Sequence, residues 1–580
     1  MSKNRTKFTI YSLAEHIGGK IKGTDSTDDM KLIRKFQGVF TILKDAKEGD
    51  IVIRHWIDEQ GVQLAYQKKV LAIITEDVRG TALDVAKSFH FPLIVVEKIE
   101  IANAFALEYC LDRFAENAKK IVVSGTNGKS TSAHLIYHIL NIAGFNVFTN
   151  TDSKSEFNTL IDPMISKLIY ENYDILNPYD YIVIEVSEVQ GWLNKLMKDH
   201  AYIMTKAINP DVAVLTNISL DHIGLVNSIE EVYNETSGVA KAISHGFLVL
   251  NHDDENIKSM IKFIDDSDFI DLFDDRAIIK PFYFTYIDDI DINVDTSKKN
   301  NVSKNCLKYD EINEGIFFEG NLVLKLEDFP LKSKHFVQNI LAAFSACICL
   351  NISIEDIVKG IISYKPLKRR FSTILHDPIV IDDFAHNPEG IKATINAVSK
   401  MNYKNLWIVN AIRGSRGLDI NKINALSIVE TINDLNSMDN NTIDIYNNSN
   451  INSNSNINSN SNINSNSNIN SNSNINSNSN INSNSNIDID KYNGSNENNI
   501  NLIITNSVDV VDTVNLVTDN EKKIFLNILD ENNINYNFYD NLYDALSFVY
   551  NESNVNDIIL LIGAQGMDHA EQVLKDIISD

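Results

Sequence analysis

Cysteine is scarce in this sequence: only four occur in 580 residues, and Cys110, Cys306, Cys347 and Cys349 do not fall at metal-ligand spacings. Two of them lie in the apolar run 342–350, so buried free thiols in a reducing cytosol are expected rather than a zinc site or a disulfide framework. Basic charge is also short, with 52 Lys and Arg against 78 Asp and Glu and a net charge of -26. That balance excludes a general binder of nucleic acid or anionic membrane, whose affinity comes from cations neutralising phosphates; an anionic ligand here needs a local site. The opening MSKNRTKFTI has no apolar export segment, and no uninterrupted apolar run reaches the roughly 18 residues of a membrane span. The expectation is a cytoplasmic monomer that works on small molecules.

What is present is ordinary globular composition, 44 % hydrophobic and 22 % charged. The length exceeds what one core serves, and three domains are the working number. The clearest break is the perfect INSNSN repeat from Ile451 to Asn486, inside an Asn-rich region of about 434–499. One apolar residue in six fits neither the helical nor the strand period and buries too little surface to offset chain entropy, so a disordered insertion is expected there.

Around that tract the pattern is strand, loop, helix, repeated. Apolar strand runs stand at 70–75, 92–97, 120–124, 181–186, 211–215, 247–250, 379–381, 406–409 and 558–562. A helix is expected over 130–143, with Leu135, Ile136, Ile139 and Leu140 on one face and Gly144 ending it. Strands alternating with helices predict an α/β protein built on a doubly wound, mostly parallel sheet, which takes ligands beyond the carboxyl ends of its strands.

The candidate chemistry falls at those ends. Gly125, Thr126, Asn127, Gly128, Lys129, Ser130 and Thr131 stand between a strand and a helix start. Glycines allow close approach to phosphate, the helix start offers unpaired N–H groups, Lys129 adds charge, and a hydroxyl of Ser130 or Thr131 suits Mg²⁺. The full P-loop spacing would want Gly where Val123 stands. IEVSE ends another strand run with Glu185, TNISLDH follows the next with His222, and Asp383-Phe384-Ala385-His386-Asn387-Pro388 follows a third.

GTNGKST, and these motifs in this order, resemble the Mur ligase family. The resemblance implies a three-domain architecture: an N-terminal UDP-substrate-binding-like α/β domain over 1–118, a central P-loop domain over 119–366, and a Rossmann-like ligase domain over 367–580 carrying the Asn-rich insertion. It implies ATP and Mg²⁺, with Lys129, Glu185 and His222 as catalytic residues and Ser130, Glu185 and His222 about the metal. It implies Asn339 of the helix run 335–346 near the adenine, Arg370 of KRRFSTI in the nucleotide-binding position on phosphate or ribose oxygens, His386 near the phosphates, and Asp383 at the ribose. Arg413 and Arg416 of AIRGSRGLDI would hold an incoming amino acid's carboxylate. LIGAQGMDHAE follows a late strand in the same domain. Two departures are plain: Thr236 stands where the family carries a carbamylated Lys, with Glu235 or Lys241 as candidate replacements, and Arg369 stands in place of a Gly.

The activity so implied is ADP-forming amide synthesis between a carboxylate and an amino acid, on a UDP-linked precursor of peptidoglycan or pseudomurein. The Thr236 departure and the GAQGMD ending look more like the archaeal members. YSLAEHIGGKIKG, AKEGDIVI and KKVLAIITE look like the UDP-binding first domain of later-acting members, which lowers folylpolyglutamate-type ligases in rank; a ligase for a tetrapyrrole precursor or a cyanophycin-like polymer is the alternative, separated by uridine-nucleotide affinity of residues 1–118. The rival from another class is a non-catalytic ATP-binding module, for which Thr236 is the best support.

Overall fold

The computed structural model describes residues 8–24, 36, 38–151, 164–192, 195–221, 225–264, 279–286, 306–329, 333–449 and 499–579. Among them, three main sheets follow one another along the chain. The first has five strands in the order Lys20–Lys22, Leu93–Val95, Ala72–Thr75, Ile51–Ile53, Phe40–Thr41, parallel except for the first pair.

The second sheet has nine strands: Asn321–Lys325, Gly315–Phe318, Cys306–Asp310, Ile279–Thr285, Gly246–Asn251, Val212–Leu215, Lys119–Ser124, Tyr181–Glu185 and Val147–Thr149. Only Gly315–Phe318 runs against the others, so the first two pairings are antiparallel and the remaining six parallel. Its inner strands are continuous apolar runs because both faces are covered. Side chains alternate across it: Ile121 and Val123 pack with Ile139 and Ile340 on one side, while Val122 packs with Leu107, Met204 and Val239 on the other. After Lys119–Ser124, helix Lys129–Ile142 leads the chain toward Val147–Thr149; after Val212–Leu215, helix Ile229–Ala242 leads it toward Gly246–Asn251. The two crossovers leave neighbouring parallel strands in opposite directions, which opens a crevice at their carboxyl ends.

The third sheet orders Ser372–His376, Ile379–Asp383, Ile558–Ile562, Asn405–Ala411, Asn499–Thr505 and Tyr536–Tyr539, parallel but for its first pair. Ile381 and Leu560 point into one core, Val380 and Leu561 into the other. Helix Leu418–Ser449 runs into the Asn-rich region past residue 434, the next strand begins at Asn499, and residues 450–498 lie outside the described residues. All four cysteines are buried and free. No helix of the described residues is long and apolar enough to cross a membrane.

The first two sheets share an element. Helix Ile99–Phe114 is apolar nearly all round, as expected of a helix enclosed on both sides. Ile99, Ala102, Phe105, Ala106 and Tyr109 belong to the core of the first sheet, whereas Ala104, Leu107, Cys110 and Leu111 belong to that of the second. Leu107 is 1 % exposed. Leu107→Ala is expected to lower stability by about 2–5 kcal/mol, the range for a buried Leu that leaves a cavity, read as a lower urea midpoint with an unchanged slope.

Candidate functional site

The turn after Lys119–Ser124 is held from beneath by the loop after Val212–Leu215. Thr126 N–H donates to Asn217 O at 2.8 Å, Asn127 N–H donates to Asn217 Oδ1 at 2.9 Å, and Thr216 Oγ1 donates to Asn127 O at 2.7 Å. Ser219 N–H donates to Thr126 Oγ1 at 3.0 Å. These bonds fix the turn's backbone and leave the start of helix Lys129–Ile142 pointing into the crevice. Two glycines make the shape possible. Gly125 has φ 121° with Asn217 O 2.9 Å from where a Cβ would stand, and Gly128 has φ 83° with Asn339 Oδ1 in the space a Cβ would need. Asn339 is 8 % exposed, and its Oδ1 accepts from Ser132 Oγ at 3.4 Å. Its side chain therefore supports the helix start directly.

Lys129 Nζ donates to Thr126 O at 2.8 Å and pairs with Glu188 Oε2 at 2.8 Å. Glu185, at the carboxyl end of Tyr181–Glu185, is 4 % exposed, and its Oε2 has no hydrogen-bond partner among the described residues. Burial pushes its carboxyl up, against the pull of Lys129, Arg370 and the Ser130 hydroxyl. An orphaned carboxylate oxygen beside a hydroxyl, where a glycine turn opens a helix, is a hard-oxygen donor set that fits Mg²⁺ completed by phosphate oxygens and water. His222 lies outside the described residues.

Thr236 is fully buried and its Oγ1 donates back to Val232 O at 2.7 Å, within its own helix. Of the two neighbours, Glu235 accepts from Asp199 N–H at 2.8 Å, and the Lys241 ammonium lies 4.6 Å from the Phe263 ring centroid. Both line a cleft of about 390 Å³ with Tyr202 and Ile203.

The third sheet meets this crevice through the loop at 383–388. Asn387 caps helix Pro388–Ser399, its Oδ1 accepting from Gly390 N–H at 2.8 Å. That leaves its amide to donate to Asn127 Oδ1 at 3.1 Å and Asp221 Oδ2 at 3.2 Å. Asp221, 4 % exposed, also pairs with His386 Nε2 at 3.4 Å and Arg413 NH1 at 3.7 Å. Burial and the Arg413 charge hold His386 below the usual imidazole value, with Asp221 opposing. Arg370 NH2 donates to Ser130 Oγ at 3.4 Å. Asp383 Oδ1 accepts from Ala385 N–H at 2.9 Å and Thr394 Oγ1 at 3.2 Å, which points the carboxylate along its own loop.

Of the two arginines of the 411–417 loop, Arg413 faces Asp221, while Arg416 is exposed and its guanidinium donates to Ser415 O at 3.4 Å. The loop is shaped by Glu521, which accepts backbone N–H groups of Ser415, Arg416 and Gly417 at 3.2, 3.0 and 2.9 Å. Asn387, Asp221 and Glu188 stood inside motifs read from the sequence but were given no role there, and Glu521 was not noticed at all. Asn387 had a signal, since Asn directly before a helix-starting Pro reads as a cap whose amide remains available.

Arg369, at φ 57°, is 2 % exposed. Its guanidinium reaches Asp382 at 3.3 Å, Ala564 O at 3.0 Å, Gly563 O and Asp568, tying the start of this sheet to the 563–568 loop. Phe384 lies between Arg369 and Arg370, whose guanidinium carbons are 4.9 and 5.0 Å from its ring centroid.

Residues 123–347 match the Mur ligase middle domain, and residues 369–429 match the Mur ligase glutamate ligase domain. The UDP-N-acetylmuramate–L-alanine ligase of Acetivibrio thermocellus is 28 % identical over 369 residues, covering 59 % of this chain and 66 % of that protein. The chain spans about half to two thirds of the length of the curated relatives it matches. Among solved structures, the MurF ligase of Thermotoga maritima in complex with ADP superposes with a TM-score of 0.55 at 14 % identity, covering 93 % and 97 % of the two chains. A pseudomurein peptide ligase type C from Methanothermus fervidus gives 0.50 at 16 %, covering 91 % and 95 %.

Two outcomes follow from the buried charges. Arg369→Met strands Asp382 and Asp568, and is expected to cost about 3–5 kcal/mol in chemical denaturation. Glu521 is lifted by burial, but hydrogen bonds from Thr518, Gly417 and Ser415 bring it below the ordinary Glu value. A depressed carboxyl stabilises above its unfolded value and loses that stability as pH falls through its folded one, so the 411–417 loop should loosen as pH falls below the ordinary Glu range. Hydrogen exchange of Ser415–Gly417 against pH checks this, and Glu521→Gln should give weak protection at every pH.

Proposed function

Because the chain belongs to the Mur ligase family, we propose that it is an ATP-dependent, ADP-forming ligase that joins a carboxylate to an amino acid through an acyl phosphate. The single observation that carries this reading is that the glycine turn and the 383–388 loop, from two different sheets, share one crevice through Asn387, Asn127 and Asp221. A nucleoside triphosphate fits such a seam. The turn's amides and Lys129 hold its phosphates, Arg370 approaches beside Ser130, and Asp383 and His386 cover it from the other sheet. Asn339 supports the turn at Gly128. The ADP in the Thermotoga maritima relative's structure supports a nucleotide of this class. We assign the units as 1–118, 119–366 and 367–580.

Ser130, Glu185 and His222 would hold Mg²⁺, which when bound supplies charge stabilisation at the phosphates. The acceptor's carboxylate oxygen attacks the γ-phosphorus as the bond to the β-phosphate oxygen breaks, and ADP departs. Lys129 and the helix start stabilise the charge that shifts onto the leaving oxygen. The amino group of the second substrate then attacks the acyl carbon, and phosphate leaves as the amide forms. Arg413 and Arg416 are the groups suited to hold that amino acid's carboxylate, Arg413 by exchanging Asp221 for it. No side chain acts as a covalent nucleophile; positioning and exclusion of water do the work.

For the acceptor we infer a UDP-linked peptide or glycopeptide of peptidoglycan or pseudomurein type. An anionic ligand is supported by Arg54, which follows Ile51–Ile53 and lies 4.4 Å from the Trp56 ring centroid; Arg79 lies 4.7 Å from that centroid and pairs with Asp77 at 2.6 Å. The test is ADP release with each amino acid against UDP-linked acceptors of both types. Amino-acid-dependent release is expected, and ATP binding without turnover under every combination would remove the proposal. Lys129→Ala should cut release by about a hundredfold or more with an unchanged circular dichroism spectrum.

A further inference from the structure

We propose that Tyr364, seated on His134, is a positioning residue for Arg370, holding the linker between the second and third sheets so that the Arg370 guanidinium stands beside the glycine turn. The inference rests on the reading of that turn as a nucleotide site. Ser130, His134 and His138 follow one another at helical spacing on one face of helix Lys129–Ile142, which opens at the turn. Each of the three meets the linker. His138 Nε2 lies 3.0 Å from Ser363 Oγ, His134 Nδ1 lies 3.2 Å from the Tyr364 hydroxyl, and Ser130 Oγ accepts from Arg370 NH2 at 3.4 Å. Ahead of them, helix Ile354–Ile362 lies directly against the same helix at Gly360, where a Cβ would stand 2.8 Å from Ile139 Cα. The chain from Gly360 to Arg370 therefore runs along that helix from Ile139 back to Ser130.

The Tyr364 hydroxyl closes this run into a ring of bonds. Tyr364 is 3 % exposed, and its ring stacks on that of Phe336 with centroids 6.1 Å apart. Leu367 N–H is directed at the phenol oxygen, which leaves the phenol proton for His134 Nδ1. Burial, reinforced by the neighbouring His138, pushes His134 down to about 4, so at neutral pH its imidazole is uncharged and able to accept. Leu367 O in turn accepts Arg370 N–H at 3.0 Å, and the Arg370 side chain returns to the helix at Ser130. The stretch 364–370 is thus tied to one helix at both of its ends. Arg369 has the opposite allegiance, since its guanidinium is enclosed by Asp382, Ala564 O and Gly563 O of the third sheet. Without the Tyr364 hydroxyl the chain at 367–370 is held mainly through Arg369, and the Arg370 guanidinium loses its set distance from Ser130.

A double-substitution cycle read by calorimetric titration of ADP in the presence of Mg²⁺ tests this. Tyr364→Phe removes one oxygen and keeps the ring on Phe336; it should weaken ADP by about fivefold, the worth of one hydrogen bond. Arg370→Met should weaken it by more, and unaltered affinity in that variant leaves Tyr364 nothing to position and overturns the proposal. In the Arg370→Met background, Tyr364→Phe should cost less than about twofold, because the two residues act as one unit. A loss of the same size in both backgrounds overturns the proposal, since the hydroxyl would then serve packing alone, and so does no loss in either. His134→Ala should behave as Tyr364→Phe does in both backgrounds, and it carries the cycle if Tyr364→Phe does not fold; ADP affinity unchanged by His134→Ala, or lowered equally with and without Arg370, overturns the proposal as well. Failure of ADP to bind the unsubstituted protein at all would instead remove the nucleotide reading beneath it.

Discussion

Asp221 is the point at which the second and third sheets become one site. It is nearly solvent-free, and three groups of the third sheet converge on it: the Asn387 amide, the His386 imidazole and the Arg413 guanidinium. A buried carboxylate needs such company, because its desolvation is offset only when several donors meet it. The arrangement therefore does more than attach one sheet to another. It sets which loop of the third sheet lies over the glycine turn, and through Asn387 and Asn127 it fixes that register to a second atom pair. That carboxylate and the Asn387–Asn127 bond together join the glycine turn to the 383–388 loop.

Much of this was legible along the chain, for identifiable reasons. Strands buried on both faces, such as Tyr181–Glu185 and Ile558–Ile562, announce themselves as short apolar runs, and the glycine turn stands out because phosphate cradles need Gly where the backbone turns left-handed. The antiparallel end of the second sheet was not read. Asn321–Lys325 is an edge strand largely open to solvent, and Gly315–Phe318 is short, so neither shows a buried run or sustained alternation. Helix Leu418–Ser449 passes the point where Asn enrichment suggested that order would end. Composition measures how much apolar surface a segment can bury, and a helix already anchored by Ala425, Ile428, Val429 and Ile432 can continue beyond its own apolar part.

The site itself was legible only where chemistry is concentrated in a motif. Lys129, Glu185 and Arg413 are visible as strand-end charges, yet their partners Glu188 and Asp221 are single acids among 78, and only the folded chain shows which acid faces which base. Arg369 is the sharpest example. A charged residue at a left-handed position reads as a surface turn, but its guanidinium is enclosed by Asp382, Asp568 and two carbonyls contributed by a loop nearly two hundred residues later. Long-range electrostatic closure of that kind has no local periodicity to read.

Helix Ile99–Phe114 has a geometric consequence. Since its two sides are buried in different cores, the first sheet cannot swing without tearing apolar surface from one of them, and the span between Trp56 and the glycine turn becomes a constant of the molecule. In the function proposed above, a substrate gripped at one end of that span would present its far end at a set reach, so a chain too short or too long would miss the phosphates however well its head group binds. Selection would then be by ruler: the helix measures length, while the loops judge chemistry.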